Sequence, residues 1–243
     1  SGAIDLATNH AGASHAVLGR FGDSGGSIQL LAGSSVKSAT IAARSDSMSI
    51  GGLLDAGAGG NITLAPNNGN THITLGGAVA DGDGLLGLSN AELANLRAGS
   101  LTIGGNDGQS GGISVDQAAS IATAGKVTLD AGTGNLSLNS VISTADVLSL
   151  KSANRIMQET GAIITAPAVE ARAALVDLSE ANAVGLVAGA ASTGIFDFGA
   201  AGNLNVGVVG GSSGVTTPGG GIGHRAHGQA GGPVKFHPGH RRL

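Results

Sequence analysis

The chain contains no cysteine, no tryptophan and no tyrosine, and only four phenylalanines, Phe21, Phe196, Phe198 and Phe236. The missing thiols exclude disulfides, thiolate metal centres and cysteine nucleophiles together. They do not assign a compartment, because a long regular core can dispense with disulfides even in a secreted chain. The missing rings leave a core built of Val, Ile, Leu and Ala. Charge is also scarce, at 12% of residues against roughly 25% in an average protein. No apolar run reaches 18 residues, so nothing reads as a bilayer-spanning helix. The opening "SGAIDLATNH" lacks an initiator Met, a basic start and an apolar stretch, so no signal peptide is expected and the chain reads as a fragment or processed piece.

The formal net charge of -4 conceals an asymmetry. Gly219 to Leu243 holds Arg225, Lys235, Arg241 and Arg242 and no acid, leaving eight basic residues against sixteen acidic ones in the rest. An acidic body without aromatic platforms is a poor nucleic-acid binder, since phosphates want a basic stripe and single strands want rings to stack on.

Glycine, by contrast, is abundant, at 45 of 243 residues. Between the glycine-rich turns one three-residue word recurs, apolar then Ser or Thr then apolar. It stands at Ile62-Thr63-Leu64, Ile73-Thr74-Leu75, Leu101-Thr102-Ile103, Ile113-Ser114-Val115, Val127-Thr128-Leu129, Leu136-Ser137-Leu138 and Leu148-Ser149-Leu150. Looser copies with another polar centre occur at Ile4-Asp5-Leu6, Ile28-Gln29-Leu30, Met48-Ser49-Ile50, Val176-Asp177-Leu178 and Leu204-Asn205-Val206. Period-two alternation marks short half-buried strands, with the outer apolar residues inward and the central hydroxyl in water. Strands at this spacing also suit a sandwich or barrel. Like residues at like positions, scarce rings and unvarying turn chemistry instead favour a parallel β-helix, a solenoid that stacks each coil on the last about 4.8 Å away. With roughly 20 to 25 residues per coil, residues 1–217 form the repeat body, and residues 218–243, rich in Gly, His and Arg, form a disordered tail. One segment, Gly87 to Gly99, breaks the alternation. Ser89 with Glu92 is a capping-box pattern, which predicts a helical turn or two around Ala91 to Leu96, closed by Gly99.

Three stretches, "GLSNAELANLRAGSLTIGG", "LSLKSANRIMQETGAIITAPAV" and "VDLSEANAVGLVAG…FDFGAAGNLNVGVV", resemble the repeat region of filamentous-haemagglutinin-like exoproteins of the two-partner secretion type, and the resemblance covers roughly Gly76 to Thr217. The resemblance implies a right-handed parallel β-helix, export through an outer-membrane β-barrel partner, and a place at the cell surface or in the secreted fraction. There the chain would serve as one length of an adhesive fibre, meeting neighbouring coils of the same fibre and host or bacterial receptors or glycans.

Several motifs suggest chemistry, and each has a plainer reading. "GDSGG", Gly22 to Gly26, with His10 and His15 before it, copies the surroundings of a serine-protease nucleophile but leaves no room upstream for a separately placed base and orienting acid. "GDGLLG", Gly82 to Gly87, with Asp107 after it, fits a dinucleotide fingerprint but lacks the strand before and the long helix after. Asp81, Asp83, Asp107 and Asp116 could contribute to a calcium site, which needs six or more oxygens; as solvated turn acids they need no ion. His224, His227, His237 and His240 form two H-x-x-H pairs able to bind zinc or nickel, inside a segment without apolar periodicity. Arg155, Glu159, Glu170 and Arg172 are the densest charged group, and they are expected to be solvated charges near loops. No residue is singled out as catalytic, cofactor-binding or metal-ligating, no cofactor is expected, and the enzymatic alternative is a polysaccharide-acting β-helix lyase or hydrolase.

Overall fold

The computed structural model describes residues 4–6, 10–13, 16–19, 27–105, 111–122 and 124–226. It is a parallel β-helix: among the described residues all but one of the strand pairs are parallel, and most join segments a coil apart in sequence. Leu136, Ile156, Val176 and Phe196 are stacked at steps of 20 residues, and Val127, Leu148 and Val169 at steps of 21. Pairings close around the cross-section because long strands, Leu53–Ala65, Ile164–Ala173 and Leu175–Ala191, turn corners and join two ladders each. That closure belongs to a coil and not to a barrel, whose strands would pair side by side around a single ring.

The repeated word supplies the core. Ile28, Met48, Leu86, Ile73, Ile113, Leu136, Ile156, Val176 and Phe196 run up one inner wall, and Ile41, Ile62, Leu101, Val127, Leu148, Val169 and Val187 up another, all buried. Stacking apolar on apolar at the strand spacing gives these inward side chains apolar neighbours above and below. Rings are admitted where neighbours are small. Phe196 and Phe198 are 1% and 2% exposed, and a Cβ added at Gly189 would lie 2.8 Å from Phe196 Cε2.

The break in the rhythm is a fold-back. Strand His72–Leu75 pairs with Ile113–Val115 on one edge and with Leu85–Leu88 on the other, so the later strand steps back down the stack, towards Ser47–Ile50. The other wall jumps accordingly, from Ile62 to Leu101 instead of by the usual twenty-odd residues. The capping box forms as expected, with Ser89 as N-cap and Glu92 closing it, but the helix is one turn, Asn90–Leu93. Leu96 onward is strand Leu96–Gly104, because Leu96 pairs with Leu54 and the ladder overrides the short helical pattern. At the upper end, strand Ile222–Ala226 pairs in register with Phe196–Ala200, so the stack continues past Thr217, where the composition shifts. Residues 227–243 lie outside the described residues.

Candidate functional site: the outer polar faces

Outward positions align as strictly as inward ones. On one face Thr74, Ser114, Ser137, Met157, Asp177 and Asp197 form a column, and on another Thr63, Thr102, Thr128, Ser149 and Glu170. Several of these centres are not in water. Thr74, Ser114, Thr128 and Ser149 are buried.

Around Asp116 the first column becomes a network. The Thr74 and Ser114 hydroxyls donate to Asp116 Oδ2, and Asn139 Nδ2 donates to Oδ1, each at 2.7 Å. His72 Nε2 lies 2.8 Å from Ser114 Oγ, and its Nδ1 lies 3.3 Å from the Gly111 carbonyl. Burial raises the Asp116 pKa, but the Ser114, Thr74 and Asn139 donors and the nearby His72 outweigh it, so the carboxyl sits below its ordinary value. Ser, His and Asp meet here, yet not as a catalytic triad: the carboxylate binds the hydroxyls and does not orient the ring, and Ser114 is 5% exposed. Only the register brings His72 to Ser114, 42 residues away, so no local motif announced the cluster.

Asp81 and Glu92 do something different. Where the fold-back meets Ser47–Ile50, Asp81 Oδ2 accepts from Met48 N at 2.9 Å and Ser47 Oγ at 2.7 Å, while Oδ1 accepts from Gly87 N at 2.9 Å. Glu92 Oε1 accepts from Ile50 N at 3.0 Å, and Asn95 Nδ2 donates to the Ile50 carbonyl at 2.7 Å. Carboxylates thus take the place of the backbone ladder and pair strand edges that would otherwise be orphaned. Burial, with Glu92 adding repulsion, raises the Asp81 pKa against the pull of the three hydrogen bonds. Asp81, half-buried, and Asp116, exposed at the rim of its network, are therefore hydrogen-bonded acids and not free turn carboxylates; Asp83 is exposed. Gly82 to Gly87 is a turn running into strand Leu85–Leu88, with no helix opening on the glycines, so it cannot cradle a pyrophosphate in the dinucleotide manner.

Glu170 corrects the expectation of a solvated charge: it is 2% exposed. Its Oε2 accepts from Ser149 Oγ at 2.9 Å, and its Oε1 accepts from Ser212 Oγ at 2.6 Å and Arg172 Nε at 3.1 Å. Burial raises the pKa, and Ser212, Ser149, Arg172 and the charge of Lys126 together bring it below its ordinary value. The structure does not gather the rest of the charged group around it, since Arg155 and Glu159 are exposed on a different ladder.

At a corner, fully buried Asn182 accepts from Gln158 Nε2 and Ile164 N and donates to the Leu178 and Gly199 carbonyls, while Gln158 also donates to the Ala162 carbonyl. Asp177 and Asp197 are in register on neighbouring strands, a juxtaposition that no local motif announces because twenty residues separate them. Among the described residues no group of three or more His, Cys, Asp or Glu could hold a metal ion. Asp107, Gly22 to Gly26, His15, His227, His237 and His240 lie outside the described residues, as do the side chains of His10 and His224. A shallow open depression is lined by Asp55, Gly57, Ala58, Arg97 and Ala98.

The class these observations define is a parallel β-helix with polar ladders on its outer faces. No family model, no curated protein and no solved structure matches the chain.

Proposed function

We propose that the chain is a structural and adhesive segment of a large bacterial surface or secreted fibre of the filamentous-haemagglutinin type, exported through an outer-membrane β-barrel partner, and that it works by length and display and not by catalysis. The observation that supports this most is the in-register alignment of outward polar positions at a repeat near 4.8 Å, of which Thr63, Thr102, Ser137 and Asp177 stay partly exposed. Such a surface suits shallow contacts repeated along a receptor or glycan, where avidity supplies what each contact lacks. The resemblance of Gly76 to Thr217 to exoprotein repeats supports the same reading. The test is deletion of this segment from the parent fibre, with surface display followed by antibody and adhesion by cell or glycan binding. Adhesion should fall while display persists; unchanged adhesion refutes the reading.

One observation favours the polysaccharide-acting alternative, namely Asp177 directly in register with Asp197 on one outer face. Incubation with acidic and neutral polysaccharides, followed by reducing-end and unsaturated-product assays, distinguishes the two. Turnover abolished by Asp177→Asn would replace the adhesive reading.

A further inference from the structure

Gly207 to Gly214 is an excursion within a single coil. Val206 pairs with Val187 and Val215 with Gly189, so eight residues stand where a regular strand would place one, opposite Ala188. Gly214 N donates to the Gly207 carbonyl at 2.7 Å and closes the neck. Beyond it, Val208–Val209 and Ser212–Ser213 make the one antiparallel strand pair among the described residues. The turn between them, Gly210 and Gly211, has φ of 62° and 110°, a region that favours glycine.

This hairpin lies over the outer face of coils below its own. Val209, 4% exposed, packs on Ala168 and Ala188, flanked by Val147 and Leu186, a cluster separate from the main core. Ser212 reaches Glu170, and Arg172 Nε also donates to Ser212 Oγ at 2.8 Å. Gly210 rests on the same carboxylate, since a Cβ there would fall 2.1 Å from Glu170 Oε2 and 3.3 Å from Lys126 Nζ. The apolar contact is small, one valine on two alanines, so the carboxylate is the principal polar tie holding the hairpin down. The hairpin carries no ionisable group. The charges around Glu170 are Arg172 on its own strand, Lys126 from Ala124–Asp130, and Lys151, in register with Arg172, from Leu148–Lys151.

We propose that Gly207 to Gly214 is a strap latched to the outer face by Glu170, and that it swings off when that carboxylate is neutralised while the stacked coils beneath remain folded. The main core does not depend on the strap, because its inward columns are complete without Val209. Opening uncovers Ala168, Ala188 and the Glu170 carboxyl. The sign follows from the lowered pKa: closure is favoured above the ordinary glutamate range and weakens as pH falls towards the folded value.

The absence of cysteine makes the test clean. Val209→Cys and Val208→Cys, the second replacing a side chain 70% exposed, are each made in the full chain and reacted with 4,4′-dithiodipyridine across pH. The ratio of the two rates reports strap protection, and circular dichroism follows the coils. At pH 7 Val209→Cys should react far more slowly. Its protection should then fall by up to about tenfold per pH unit between the ordinary and the folded glutamate pKa, and level off below, with the strand signal intact. Adding Glu170→Gln or Ser212→Ala should speed Val209→Cys at pH 7 and flatten the pH curve, whereas Asp116→Asn, in a separate network, should leave the curve unchanged. A ratio that stays flat until the strand signal is lost, or that keeps its pH dependence in Glu170→Gln, overturns the proposal.

Discussion

Leu136 and Ser137 are neighbours with opposite surroundings, and replacing each in turn tests the stacked-coil architecture directly. Leu136 is fully buried, with Ile113 on one side and Ile156 on the other in strict register, both also fully buried. Leu136→Ala removes three carbons, worth about 2.4 kcal/mol at roughly 0.8 kcal/mol per buried methylene. The hole cannot readily close, because the backbone ladder fixes the strand spacing. The cost should therefore lie towards the upper end of the 2 to 5 kcal/mol range for such changes, about 3 to 5 kcal/mol. Ser137 points outward, half-buried between Ser114 and Met157, and Ser137→Lys should stay within about 0.5 kcal/mol of neutral. Without Trp or Tyr, urea unfolding is best followed by far-ultraviolet circular dichroism. Amide exchange by mass spectrometry then locates the damage, since each coil leans on its two neighbours. Loss of protection should centre on Ile113 to Gln158. Equal costs at the two positions would refute the inward and outward assignment, and uniform loss of protection along the chain would refute stacked coils in favour of one indivisible core.

Glu92→Ala strips acceptors from the Ile50 and Ser89 amides and should cost about 1 to 3 kcal/mol, with exchange at Met48 and Ile50 rising first. Asn182→Ala leaves Ile164 N and the Leu178 and Gly199 carbonyls without that partner in the interior; it should cost at least as much, measured by urea midpoint. Asp116→Asn should remove a component of stability that the native chain holds above the ordinary aspartate pKa and loses as pH falls through the lowered folded value, seen as a flatter stability curve on the acid side. Asp81 runs the other way. Its raised pKa makes its contribution greatest below the ordinary value and lost as pH rises through the folded one, so Asp81→Asn should remove a decline in stability with rising pH across that window.

Most strand words with their inward positions, the turn glycines and the Ser89–Glu92 cap were legible in the sequence because each depends on residues two to four apart, where alternation and capping chemistry act; the word Leu204-Asn205-Val206 is the exception, its Val206 being exposed beside the hairpin excursion. Repetition of one word also implied stacking, since like residues at like positions have few other ways to bury one another. What only the tertiary structure decided is which word sits on which, and what then covers the outer face. The fold-back that sets Leu85–Leu88 below His72–Leu75 came from pairing geometry, which also cut the helix to one turn and recruited Asp81 and Glu92 to replace a missing stretch of ladder. Thr74 and Ser149 look identical to exposed hydroxyls in sequence, and Glu170 looks like any surface acid. Their burial is set by residues tens of positions away, Asp116 in one case and Ser212 in the other. A side chain's direction is encoded by its immediate neighbours, but its exposure, its hydrogen-bond partners and its proton affinity depend on what the rest of the chain lays over it.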